Sequence, residues 1–102
     1  MDVPLEMLGR FPTAPISGIR ELDSSTQFIT ISEDHTMAIW EATNQQQLSL
    51  TTLTDRPVAL AVCSTGRSAF IGTEHGAFLI YDVTNRSNPR LVKQMRFFEE
   101  KV

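Results

Sequence analysis

One stretch of this chain occurs twice. Ser32-Glu33-Asp34-His35-Thr36-Met37-Ala38-Ile39-Trp40-Glu41-Ala42-Thr43-Asn44 returns, with no gap, 41 positions later as Thr73-Glu74-His75-Gly76-Ala77-Phe78-Leu79-Ile80-Tyr81-Asp82-Val83-Thr84-Asn85. Glu33 and Glu74, Ile39 and Ile80, Thr43 and Thr84, and Asn44 and Asn85 are identical pairs. Trp40 meets Tyr81, Glu41 meets Asp82 and Ser32 meets Thr73, so size and polarity persist where identity does not. A period near 40 marks an array in which one supersecondary unit cannot bury its faces alone. With short strands as the building blocks, the expected fold is all-β: antiparallel four-stranded blades forming part of a β-propeller, about two blades in this chain.

Hydrophobic runs are short, and turn residues separate them at intervals of about ten, which is an all-β pattern. In the first repeat, strands are expected at 16–22, 27–32, 37–41 and 47–53. In the second they are expected at 58–63, 69–73, 78–82 and 91–97. Asp23-Ser24-Ser25, Glu33-Asp34-His35, Ser64-Thr65-Gly66 and Glu74-His75-Gly76 supply the hairpin turns, being residues that tolerate left-handed backbone or bond to their own chain. The chain thus divides into 1–14, an outer strand or linker of a preceding unit, then a first repeat over 15–55 and a second over 56–102.

The third strands are apolar on both faces: Met37 and Ile39 oppose Ala38 and Trp40, and Phe78 and Ile80 oppose Leu79 and Tyr81. A strand with one wet face would alternate, so these strands are expected to lie between neighbouring sheets. In the fourth strand Leu48 and Leu50 alternate with Ser49 and Thr51, the pattern of an outer, half-exposed strand. Inner strands dry and outer strands wet is the arrangement expected of a blade. Residues 89–102 carry two readings. Leu91, Met95, Phe98 and Val102 fall at helical spacing after Asn88-Pro89, whereas alignment with 48–53 makes the segment an outer strand, and the strand is preferred.

Bulk properties exclude several classes. With 102 residues, 41% of them apolar, the chain can bury a modest core. The net charge is −3 and the nine Lys and Arg are scattered, so no nucleic-acid partner is expected. Cys63 is the one cysteine, which rules out an internal disulfide and fits a reducing compartment. Met1-Asp2-Val3-Pro4-Leu5-Glu6 has acids where a signal peptide carries basic residues, and no apolar run approaches the roughly 20 residues that span a bilayer. The expectation is an intracellular, cytoplasmic chain without membrane contact, the nucleus remaining open.

The ends of the two repeats resemble the WD-repeat family of β-propellers. That family closes a repeat with a small pair, an acidic turn, a Thr, alternating apolar residues and Trp-Asp, and residues 32–41 are very similar to this; residues 62–82 are similar over three strands. The resemblance implies a network joining Trp40 to a strand hydroxyl (Thr30 or Ser32) and to the turn residue Asp34. The His that the family places in the entering loop is missing, since 10–15 contains none. In the second repeat Tyr81 replaces Trp and His75 replaces Asp, so no such network is expected there.

The resemblance also places Glu33, His35, Glu74 and His75 on one rim of the disc, with Asp55 and Arg56 nearby in the inter-blade loop. Loops on a rigid scaffold are where binding resides, and these side chains suit polar or basic partner segments. The bland reading is that they are solvated turns. His35 and His75 are too few for a metal site, which needs three or four converging ligands, so no metal and no cofactor are expected. Cys63 has no His or Asn arrangement around it in the sequence and is expected to be a small buried strand residue. Asn85-Arg86-Ser87 reads as a surface loop and Phe97-Phe98 as the end of an outer strand. The function expected is a non-catalytic protein–protein interaction scaffold; the alternative is a propeller enzyme whose active site lies in blades outside this chain. Propellers have four to eight blades, so the chain needs further blades from the same or other chains, and alone it is not expected to be a stable monomer.

Overall fold

A computed structural model describes residues 15–23 and 26–96. Its elements are β1 (Ile16–Glu21), β2 (Gln27–Ser32), β3 (Thr36–Glu41), β4 (Gln46–Thr52), β5 (Pro57–Val62), β6 (Ser68–Thr73), β7 (Ala77–Asp82) and β8 (Arg90–Arg96). They form two four-stranded antiparallel meanders, ordered β1-β2-β3-β4 and β5-β6-β7-β8. The β-branched and aromatic residues of β2 and β3 pair in register, Phe28 opposite Trp40 and Ile29 opposite Ile39. The β2–β3 and β6–β7 turns demand a left-handed residue at the same repeat position. His35 has φ 69° and Gly76 φ 87° there, each one step before a strand.

The sheets stack face to face. Ile29, Ile31, Met37 and Ile39 on one face of the first sheet join Leu60, Ala69, Ile71, Leu79 and Tyr81 of the second in a single buried cluster. Both faces of β3 are dry, since Ala38 and Trp40 on its other side are buried as well. The second sheet is not so treated. Phe70, Phe78 and Ile80, the repeat equivalents of Ile29, Met37 and Ile39, lie on its far face only half-buried.

Outer-strand bulges show the same asymmetry. The register skips Leu48 in β4 and Val92 in β8. Leu48 packs onto the shared core, whereas Val92 is 60% exposed. Both outer strands are largely wet, and so are the innermost strands β1 and β5, contrary to the expectation that all inner strands are dry. The dry strands are β2 and β3, and in part β6 and β7, which lie in the middle of each sheet.

Residues 90–96 are strand, not helix, because their backbone pairs along β7 from Asp82–Arg90 to Ala77–Arg96. Cys63 corrects another expectation. It follows the end of β5 in the turn and is half-exposed, not a buried strand residue. The expected outer strand within 1–14 and the Phe97-Phe98 pair lie outside the described residues.

A repeat difference ties the sheets together at one end. The β7–β8 loop is three residues longer than the β3–β4 turn. The longer loop presents Arg86, whose guanidinium donates to Gln27 Oε1 (2.9 Å), Gly66 O (2.6 Å), Val83 O (2.7 Å) and the Asp23 carboxylate. Asp23 and Gln27 belong to the first sheet, so one arginine, 15% exposed, clamps two blades.

Candidate functional site

In a meander the strand direction alternates, so the β2–β3 turn, the β4–β5 loop and the β6–β7 turn emerge at one end. Backbone bonds hold them together: Leu53 N–H donates to His35 O (2.7 Å) and Glu74 N–H to Arg56 O (2.9 Å). Arg56 stands between the two blades, 3.6 Å from Glu33 and 3.5 Å from Glu74. These pairs are well exposed, and each contributes little on its own. Their effect is to position one guanidinium between two carboxylates on the rim.

Asp55 sits beside them. Its carboxylate accepts from Arg56 N–H (2.7 Å), His75 N–H (3.0 Å) and His75 Nδ1 (2.9 Å). Arg96 reaches in from β8 and donates to His75 O (3.0 Å). Burial works to raise the Asp55 pKa. The hydrogen bonds from the His75 side chain, Arg56 N–H and His75 N–H outweigh it and hold the carboxyl well below its ordinary value. The His75 pKa is raised, first by its hydrogen bond to Asp55 and then by the charges of Asp55 and Glu74.

The structure therefore gathers Glu33, Asp55, Arg56, Glu74 and His75 into one cluster. His35 contributes its left-handed backbone and its carbonyl, and its side chain is exposed. Asp34 accepts from the Thr36 hydroxyl (2.6 Å), which closes its own turn. The Trp40 indole donates to Thr30 Oγ1 (3.1 Å) in the buried interior, and Ser32 is buried in the same strand. The second repeat departs from expectation. Its turn residue His75 does find a partner, the entering-loop residue Asp55, so the acid and the imidazole have exchanged places. The indole–hydroxyl half is absent because Ile71 stands where Thr30 stands in the first repeat. Arg96 was invisible to sequence reasoning, since its role depends on how far β8 reaches along β7.

Asp55, Glu74 and His75 bring potential ligand atoms within 4.8 Å of one another. Asp55 already accepts from Arg56 N–H and from His75 N–H and Nδ1, and Arg56 lies 3.5 Å from Glu74, so these groups are engaged with one another in hydrogen bonds and ion pairs.

At the opposite end, the Cys63 thiol pKa is lowered to about 6, first by its hydrogen bond with Thr65 Oγ1 (3.0 Å) and also by the Ser68 N–H (3.3 Å). Thiolate is the nucleophilic form. Alkylation of Cys63 by iodoacetamide should rise with a midpoint near pH 6, and Thr65→Val should move that midpoint upward. A midpoint in the ordinary thiol range for the native chain would contradict this.

No protein-family model matches the chain. The human protein WD repeat-containing protein 90 is 36% identical over 72 residues, which cover 70% of this chain and 4% of that protein. The chain thus spans only a small part of that relative. Among solved structures, U3-55K superposes with a TM-score of 0.79 at 11% identity, covering 89% of this chain and 29% of that one. The β-propeller domain of Myceliophteria thermophila Cps50 (Swd1) gives 0.74 at 12% identity, covering 82% of this chain and 29% of that one. The WD40 repeats of RRP9 give 0.78 at 11% identity, covering 89% and 28%. The in-register repeat, the two stacked four-stranded sheets and these likenesses agree: the chain is similar to the WD-repeat proteins and forms two blades of a β-propeller.

Proposed function

We propose that this chain is part of a non-catalytic scaffold that holds protein partners on a propeller rim, completed by further blades. The observation that carries the reading is the rim itself. Side chains from two turns and the inter-blade loop converge around Arg56, on a backbone fixed by the stacked sheets. Exposed polar groups on a rigid support are suited to recognition because little order is lost on binding. Glu33, Asp34, Asp55 and Glu74 outnumber Arg56 and Arg96 there, which favours partner segments carrying lysine or arginine.

Reversing both Glu33 and Glu74 to lysine should weaken partner recovery in a pull-down with the full protein. A loss that is larger at low salt than at high salt, with the fold intact by circular dichroism, supports the rim. Recovery of every partner undiminished would place binding elsewhere. The far face of the second sheet supports the need for further blades. Phe70, Phe78 and Ile80 are half-covered there, while the equivalent Ile29, Met37 and Ile39 are sealed by the neighbouring sheet.

A further inference from the structure

We propose that Asp55 and His75 form a protonation latch on the loop between the two blades. With a proton on the imidazole, the loop is held to the β6–β7 turn; without it the hold slackens and Arg56 loses its fixed place between Glu33 and Glu74. Asp55 immediately precedes Arg56 and bonds its N–H, so any movement of the Asp55 carboxylate is passed to the Arg56 backbone. The same carboxylate takes both the N–H and Nδ1 of His75 and is 15% exposed on its side chain, while the imidazole is 72% exposed to bulk protons. A mostly covered anion thus grips an accessible titrating group.

The charges facing His75 come from three elements. Asp55 on the β4–β5 loop and Glu74 in its own turn favour the proton, and Arg96 of β8, bonded to the His75 carbonyl, opposes it. Arg56 stands behind Glu74. Protonated, the imidazole must carry a proton on Nδ1 and adds its own positive charge to the bond with the ionised Asp55 carboxylate. Neutral imidazole can place its single proton on Nε2 and lose the bond altogether. Asp55 stays ionised across the range in which imidazole titrates, because its own pKa is depressed. The sign follows from linkage. His75 is raised on folding, so its contribution is fully present below the unfolded imidazole value and is lost as pH rises through the raised folded value.

The latch can be read without a partner, so its failure would leave the scaffold reading standing. Diethyl pyrocarbonate acylates only the neutral imidazole, and mass spectrometry of the His75 peptide gives the pH midpoint in the full chain in any assembly state. That midpoint should be higher in the native chain than in Asp55→Asn. Hydrogen exchange over residues 54–56, corrected for intrinsic rates, should be faster at about pH 8 than at about pH 5.5, the span over which histidine changes charge. The difference should vanish in His75→Gln, which keeps a polar side chain and cannot titrate. Equal midpoints, no pH difference in the native loop, or a difference that survives in His75→Gln would each overturn the latch. If Asp55→Asn folds poorly, the His75→Gln exchange comparison decides alone.

Discussion

Gly66→Ala is expected to cost the fold about 2–5 kcal/mol. Gly66 has φ 72°, and placing an ordinary residue in that left-handed conformation costs about 1–2 kcal/mol. The added Cβ would also lie 2.6 Å from the backbone nitrogen of Asp23 and 2.7 Å from its Cβ. Neither atom is the end of a flexible chain, so the two blades must part, and overpacking of this kind costs about a further 1–3 kcal/mol. The collision falls at the Arg86 clamp, where Gly66 O and Asp23 both accept from the guanidinium. Domains of this size are stable by only about 5–15 kcal/mol, so the loss is a large share. Gly72→Ala is the control: the new Cβ would sit 3.5 Å from Ala59 Cβ, an ordinary contact, and replacing a strand glycine is worth within about 1 kcal/mol. Urea midpoints compared in one assembly state check both. Equal midpoints for the two variants would remove the clamp from the account.

The strands were legible because hydrophobic alternation and turn chemistry act locally. Ile29, Ile31, Met37 and Ile39 announce a buried face, and Glu33-Asp34-His35 announces a turn, without help from distant residues. The rim was legible for a topological reason: strand parity puts residues 33–35, 53–56 and 74–76 at one end. What the sequence does not announce depends on reach across the interface. Arg86 is an unremarkable loop residue until a three-residue extension brings it to Asp23. The Asp55–His75 pair was hidden because its members are 20 positions apart and occupy each other's expected places. Cys63 falls one residue past the end of β5, where a sequence marks strand boundaries least sharply, and so lies in the turn and not in the core.

The second large effect concerns the uncovered face. Phe70 and Phe78 stack there with ring centroids 6.1 Å apart, beside Ile80, with Val92 60% exposed on the outer strand. The first sheet buries the same repeat positions completely, so the second sheet presents a surface built for a neighbour. Full burial of a large apolar side chain is worth about 1.5–3 kcal/mol, so covering the remaining half of each of these gains about 1 kcal/mol, and together they favour association. The 102-residue chain alone should therefore associate until that face is covered. Phe70→Lys with Phe78→Glu should reduce the association while leaving the core between the sheets untouched.

Size-exclusion chromatography coupled to light scattering measures this directly, because it reports mass without reference to shape. The isolated chain should run well above 11.4 kDa, as a discrete assembly whose blades total a number that closes a ring, or as aggregate. A well-folded monomer of 11.4 kDa that melts cooperatively would contradict the claim that these two sheets are blades of a larger propeller.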